Sequence, residues 1–462
     1  MEEENCGDIE AVVTDIKHKY TIVFCKSQDS YYIYSKKTGL YKKRDVNEMY
    51  RFCGKYIHTS CPYDLDWEND NFKCIYEHLK LVVPYPDKMG AEKGVIHLRN
   101  GVYLVEDKKL VNFNPQYYAT SALPFVYNTE AKAPVFEKFI KDVSSSKAME
   151  KTLCEIAGCV LAGETSHEKL IMNIGCGANG KSVFLGLLCE LLGQDLVTGI
   201  PVSEINGNRA FVLHELAGKR LNALHELENG ITLEKLFDSN VKRIVTNEPL
   251  NAEVKFAGRY QFKPDMNFIV NANYLPDSSD IYPSHALLRR YLVLNWNRKF
   301  KPDEQDKNIL DKMKAELSGI FNLALQGLKR LQDNDFVFSA QKESDQFLED
   351  CFKKQYPAYG FVKDCIIPSA GSRVYNDDLN RAFVQWAAEQ EVDLSDLKIA
   401  GRTKAIKKAI KQQGISLGTG RSDCRRWLTG IALKGESSNG KQAKKFRKKT
   451  SQSSVGDRMS KQ

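Results

Sequence analysis

Gly175-Cys176-Gly177-Ala178-Asn179-Gly180-Lys181-Ser182 fits the phosphate-cradling pattern G-x-x-x-x-G-K-[ST]. The apolar run Leu170, Ile171, Met172, Asn173, Ile174 precedes it and has the length of a buried strand. Val183, Phe184, Leu187, Leu188 and Leu191 follow at helical spacing, and Gly193 provides the stop. Together these residues predict strand, loop, helix. The glycines free backbone N–H groups to turn toward phosphates at a helix N-terminus, where the dipole favours negative charge. Lys181 would reach the β- and γ-phosphates, and Ser182 would ligate Mg²⁺. The expected cradle is therefore Gly175, Gly177, Ala178, Asn179, Gly180, Lys181, Ser182 and Val183, with ATP and Mg²⁺ as its ligands.

Hydrolysis requires more than a cradle: acids for the metal and the attacking water, a polar sensor for the γ-phosphate, and an arginine for the developing charge. Three downstream segments supply these types in order. Arg220 to Glu228 (RLNALHELE) is a largely apolar run ending in carboxylates, and a strand there would show Glu226 and Glu228 on one face by its period of two. One carboxylate would hold Mg²⁺ and the other would polarise water, although an exposed helix also accounts for these residues. Asn267 to Asn273 (NFIVNAN) reads as a short strand ending in amides, and Asn273 is either a γ-phosphate sensor or a turn amide. Leu287 to Leu294 (LLRRYLVL) sets Arg289 and Arg290 between apolar neighbours, which suits a role in trans at a subunit boundary as well as a salt bridge.

The ordered series GCGANGKS, GKRLNALHELENG, FKPDMNFIVNANYLP, HALLRRYLVLNW resembles the superfamily 3 helicases of the primase-helicase type found in poxviruses, phages and plasmids. The similarity extends upstream through IHLRNGVYLVEDKKLVNFNPQYYATSALPFVY and covers roughly residues 95–430. It implies an α/β fold of the AAA+ type, a P-loop core with a parallel sheet that assembles as a ring, usually a hexamer. ATP is hydrolysed between subunits in such proteins, and DNA is unwound with 3′ to 5′ translocation. Carried onto this sequence, Lys181 and Ser182 match the Walker A lysine and hydroxyl, Glu226 and Glu228 the acidic Walker B pair, and Asn273 the sensor amide. Arg290 looks most like the finger that enters a neighbour's site. Asn251 to Phe262 resembles the hairpin that projects basic residues into the ring channel, with Lys255 and Arg259 as phosphate contacts. Glu253 departs from that pattern, standing where many relatives carry a basic residue.

The chain of 462 residues is long enough for two to four domains, and 42% hydrophobic residues can build real cores. No run of about 18 apolar residues occurs, and the start MEEENCGDIE is acidic, so neither a membrane span nor a signal peptide is expected. The reading is a soluble, intracellular protein. Twelve cysteines without a C-x-x-C pair point to reduced thiols. Cys53, His58, Cys61, Cys74 and His78 match no standard zinc spacing, and no structural zinc is expected. The net charge of +8 is uneven, with +7 in residues 434–462, +7 in 401–433 and −6 before them. An anionic polymer would be gripped at the C-terminal end.

The expected organisation is an α+β N-terminal region over 1–130, with strand-like runs at Ala11–Val13, Tyr20–Phe24, Tyr31–Tyr34 and Val102–Val105. The ATPase domain with a preceding helical collar follows at 131–335, then a helical linker at 336–370, a winged-helix module at 371–433 and a basic disordered tail at 434–462. In Arg402 to Gln413, Lys404, Lys407, Lys408 and Lys411 share one helix face and Ile406 and Ile410 the other. Ile415–Leu417 and Cys424–Leu428 would pair around Gly418-Thr419-Gly420, placing Arg421, Arg425 and Arg426 on a wing. A lysine face laid on DNA is weighed here against a merely solvated one. About 95 residues precede the resembling region, without a paired-carboxylate strand motif. Primer synthesis is therefore assigned to a separate primase or polymerase partner. The expected activity is that of an ATP-driven, ring-forming DNA helicase of a virus, phage or plasmid-like element. The alternative is an ATP-switched initiator that binds or melts DNA without processive unwinding.

Overall fold

The computed structural model describes residues 2–60, 69–90, 92–207, 210–254, 258–278, 285–395, 397–422 and 425–434. Lys255 and residues 435–462, expected to carry a hairpin contact and a basic tail, lie outside them. The chain divides into two compact units, Met1–Asp277 with His285–Asp345, and Ser278–Ser284 with Gln346–Gln462. That division falls inside the stretch expected as a helical linker.

The first unit opens with helix Glu2–Lys19, followed by an antiparallel sheet of β1 (Ile22–Cys25), β2 (Ser30–Ser35) and β3 (Leu40–Arg44). Helices Val46–Ser60 and Asn69–Val82 share a core with them through Met49, Cys53, Ile75 and Leu79. Ala11–Val13, read as a strand from sequence, belongs to the first helix. Ile9, Val12, Val13 and Ile16 are buried together there, and their spacing is helical; a window of three apolar residues is too short to reveal it. A second antiparallel sheet follows, formed by β4 (Val95–Leu98), β5 (Gly101–Leu104) and β6 (Lys109–Val111).

The centre of this unit is a five-stranded parallel sheet. It comprises β7 (Leu170–Ile174), β8 (Val197–Thr198), β9 (Leu221–Leu224), β12 (Asn267–Ala272) and β13 (Tyr291–Asn295), in the order β13-β7-β12-β9-β8. A hairpin of β10 (Leu250–Val254) and β11 (Gly258–Phe262) precedes β12. Every residue of β7, β9 and β12 is buried, as expected of parallel strands covered on both faces, and this explains their unbroken apolar runs. Helix Lys181–Leu192 covers the sheet with Phe184, Leu185, Leu188 and Leu192.

Helices Lys147–Ala162 and Leu317–Asp333 pack so closely that a Cβ at Gly327 would stand 2.5 Å from the Cys154 backbone, and one at Gly158 would meet the Ala324 carbonyl. Backbone on both sides cannot yield as a side chain would. Gly327→Val is therefore expected to cost at least the upper end of the usual overpacking range of about 1–3 kcal/mol. The check is a lowered urea midpoint with unchanged m-value.

His167 is buried below β7, where its Nε2 lies 2.8 Å from Asn267 Oδ1 and its Nδ1 accepts from the Lys169 amide at 3.0 Å. Because Nδ1 accepts, the ring is neutral with its proton on Nε2. Burial pushes its pKa from 6.5 down to about 4. Between those values the unfolded chain binds a proton that the folded chain does not, so stability is present above pH 6.5 and is lost as pH falls through the folded value. The loss is on the order of 3 kcal/mol below pH 4. Urea melts between pH 7 and 4 are expected to show a shallower pH slope for His167→Gln than for wild type.

The second unit contains helix Pro357–Cys365, β14 (Ile366–Tyr375), helices Asn376–Glu389 and Ile399–Gln412, then β15 (Gly418–Ser422) and β16 (Arg425–Leu433). The three strands pair antiparallel in the order β14-β16-β15, over a core that includes Phe361, Leu379, Phe383, Ile406, Ile410, Leu428 and Ile431. Gly418 and Gly420, expected in a turn, are instead strand residues. Gly420 pairs with Trp427, whose ring would lie 2.5 Å from a Cβ at that position. The glycine makes room for the indole; its low strand propensity suggested a turn.

Candidate functional site

The loop 175–180 leaves the carboxyl end of β7 and returns as a helix at Lys181. Gly180 has φ +92°, a value that L side chains rarely adopt. Further ties hold the loop. Asn179 Nδ2 donates to the Trp296 carbonyl at 3.1 Å, and the Phe300 amide donates to the Ala178 carbonyl at 2.8 Å. Lys181 is only 5% exposed, burial lowers its pKa, and its ammonium donates to the Gly175 carbonyl. A buried ammonium held by one carbonyl is poised to exchange that partner for a stronger anion.

The adjoining cleft has a volume of about 350 Å³ and is lined by Gly177 to Val183, His225, Glu226, Asn271, Ala272 and Asn273. The sheet order creates it. β7 lies between β13 and β12, and β9 lies beyond β12, so three carboxyl ends deliver the loop, Asn273 and His225-Glu226 to one edge. Ligands of open α/β sheets bind at that edge, where strand order reverses. Ser182, Glu226 and Asn273 are exposed to it.

Glu228 lies elsewhere. β9 ends at Leu224, so the two glutamates do not share a strand face as expected from the period of two. The Glu228 carboxylate accepts from the Ser203 amide at 3.1 Å and from the Ser203 hydroxyl at 2.5 Å. His225 and Asn271 line the cleft instead and were not singled out from sequence. Asn271 Oδ1 accepts from Asn173 Nδ2 at 2.9 Å, and Trp296 Nε1 donates to Asn173 Oδ1 at 3.0 Å. Asn271 Nδ2 is buried without a partner. It is a donor at the cleft lining that a bound anion or water would satisfy. The readable signal was an amide inside each of two apolar strands, at positions that turn out to be in register.

Arg289 and Arg290 sit at the opposite edge of the sheet. β13 begins at Tyr291 beside Leu170, the first residue of β7, so Arg290, one residue earlier, stands five residues and roughly 16 Å from the end of β7 for a rise of about 3.3 Å per residue. Arg290 pairs with Glu168, and the Arg289 carbonyl accepts from Lys169 Nζ at 2.6 Å. The cleft of their own chain is therefore out of their reach.

In the hairpin, Glu253 and Arg259 are direct cross-strand partners joined by an ion pair of 3.2 Å. The acid that departs from the family pattern thus occupies the arginine expected to touch phosphate. In the second unit, Lys404, Lys408 and Lys411 are exposed and Lys407 is half-buried, while Ile406, Ala409 and Ile410 on the other face are fully buried. Arg421 and Arg426 face each other across β15 and β16, a like-charge pair that an anion between them would relieve. Arg425 lies over the Tyr375 ring and 3.6–3.7 Å from Asp377 and Asp378.

Two family models match parts of the chain. Residues 13–145 match the D5 N terminal like family, and residues 173–290 match a family of unknown function, DUF5906. The first match extends the likeness of the N-terminal region well upstream of residue 95. Among solved structures, the chain is similar to the apo form of the NrS-1 C-terminal region (305–718), with 14% identity, TM-score 0.53, and 92% of this chain and 99% of that chain covered. A second apo structure of the same region, the A form, gives 12% identity and TM-score 0.50 over 91% and 99%. At this identity the likeness describes the fold, a mixed α/β architecture. Among the described residues no helix is long and apolar enough to cross a membrane.

Proposed function

We propose that this chain is an ATP-driven DNA helicase of the superfamily 3 type, acting in replication of a virus, phage or plasmid-like element as a ring, usually of six subunits. The observation that carries the reading is the convergence of a glycine loop, a buried lysine, an exposed carboxylate and an exposed amide at one edge of a parallel sheet. The D5 N terminal like match supports the replication context.

In this reading the loop amides and Lys181 bind the β- and γ-phosphates, and Asn273 holds the γ-phosphate or the attacking water. The residues fit Mg²⁺: Ser182 and Glu226 would hold it, and it would supply charge neutralisation between the phosphates. Glu226, beside His225, also orients water. Glu228 acts only after leaving Ser203. Arg290 completes the site of a neighbouring subunit, because it cannot reach its own. The AAA+ type core drives the β10–β11 hairpin, where Arg259, and Lys255 from sequence, contact the strand. The C-terminal unit acts as a winged helix and grips DNA through Lys404, Lys407, Lys408, Lys411, Arg421, Arg425 and Arg426.

The test is displacement of a labelled strand from a fork with a 3′ single-stranded tail, with ATP and with a non-hydrolysable analogue, alongside ATPase assays with and without single-stranded DNA. Unwinding that requires hydrolysis is expected. The Glu253–Arg259 pair, which makes the hairpin less basic, favours a second reading, an ATP-switched initiator. DNA binding and ATPase activity without strand displacement would select it.

A further inference from the structure

A second cavity, of about 830 Å³, lies within the first unit between β3, β4 and β11 and is separate from the glycine loop. Its size is that of a site for a nucleotide-sized ligand. Six cationic side chains line it against two carboxylates, Asp87 and Asp265. Two of the cations are committed to backbone carbonyls, Lys219 to Asp195 and Arg220 to Ala162 and Glu92. The other four, Lys42, Lys43, Lys88 and Lys263, are exposed and have no ion-pair partner among the described residues.

The buried part of the lining points to the rest of the ligand. His97 on β4 is 3% exposed, and neither of its ring nitrogens has a hydrogen-bond partner. A buried imidazole with both nitrogens unsatisfied is rare, and one that lines a cavity calls for a ligand to complete it. Burial pushes its pKa down to about 4, so at neutral pH the ring offers one donor and one acceptor. That pair complements a donor–acceptor edge such as a nucleobase presents, whereas the lysines complement phosphate.

We infer that this cavity is a second nucleotide-binding site, taking a base edge at His97 and phosphate at Lys42, Lys43, Lys88 and Lys263. The nucleotide is either free or one unit of a single strand. The inference does not depend on hydrolysis at the glycine loop.

The test uses the full chain carrying Lys181→Ala, which silences the loop site, and Lys404→Glu, Lys408→Glu and Lys411→Glu, which remove the C-terminal lysine face. Two probes are titrated by fluorescence anisotropy, a mant-labelled deoxynucleoside triphosphate and a fluorescein-labelled oligo-dT of twelve nucleotides. Reversing Lys42, Lys43, Lys88 and Lys263 to Glu is expected to weaken one probe at least tenfold, and His97→Gln to weaken the same probe several-fold. Loss confined to the triphosphate identifies a free nucleotide, and loss of oligo-dT identifies a strand. The four lysines are exposed, so their reversal tests the site without disturbing a core. In the protein with His97 intact, photo-crosslinking of an iodouracil-substituted oligo-dT or an azido-nucleotide is expected on peptides containing His97 or Tyr260, which lines the same cavity from β11. Equal affinity in all variants would overturn the inference. So would sensitivity to the lysines alone with no crosslink at His97 or Tyr260, the behaviour of a merely basic surface.

Discussion

A Lys181→Ala protein is expected to lose ATP turnover by about 10²- to 10³-fold, the usual consequence of removing one preorganised donor from a developing charge. The folded protein is expected to survive the change. Among the described residues the Lys181 side chain makes one hydrogen bond, to the Gly175 carbonyl, and losing one such bond costs about 1 kcal/mol. In the proposed function the lysine acts on its ligand rather than on the fold, so the two readouts are expected to separate: kcat collapses while the thermal midpoint barely moves. Gly180→Val should by contrast damage both, since φ +92° is strained for a branched residue and its Cβ would approach Val143 to 2.7 Å. ATPase activity unchanged in Lys181→Ala at saturating ATP would dismiss the glycine loop as the hydrolytic site.

Arg290→Ala is expected to lose about 10³- to 10⁵-fold in ATP turnover, the range associated with an arginine supplied to the transferring phosphoryl group. The distinguishing result is complementation. Arg290 lies at the far edge of the sheet from its own cleft, so in the proposed ring each complete site would combine the loop of one subunit with the arginine of another. Mixing inactive Lys181→Ala with inactive Arg290→Ala protein should restore activity at those boundaries where an intact loop meets an intact arginine. Arg290→Lys serves as the control for the Glu168 ion pair: it retains the charge and the fold but lacks the guanidinium fork. If the mixture stays as inactive as its components, Arg290 acts only within its own chain, through Glu168.

What could be read from the sequence alone was local. Strand, loop and helix over residues 170–192 follow from an apolar run, glycines and a 3.6-residue period, and all act within one turn or strand of each residue. The amphipathic helix Ile399–Gln412 was legible for the same reason, with Ile406 and Ile410 buried opposite exposed lysines. Short segments were less legible. Ala11–Val13 shows no period by itself, and Gly418–Ser422 carries the composition of a turn while serving as a strand beneath Trp427.

The tertiary structure decided which residues share a space, because burial and partner choice depend on segments distant in the chain. It turned Glu228 to Ser203 and left Glu226 at the cleft. It brought Asn173 and Asn271 into register across neighbouring strands and left one amide nitrogen without a partner. It also carried Arg290 a strand length away from the loop, and enclosed His97 in a cavity no motif announces. A sequence motif records what a side chain can do; the order β13-β7-β12-β9-β8 determines where it can do it.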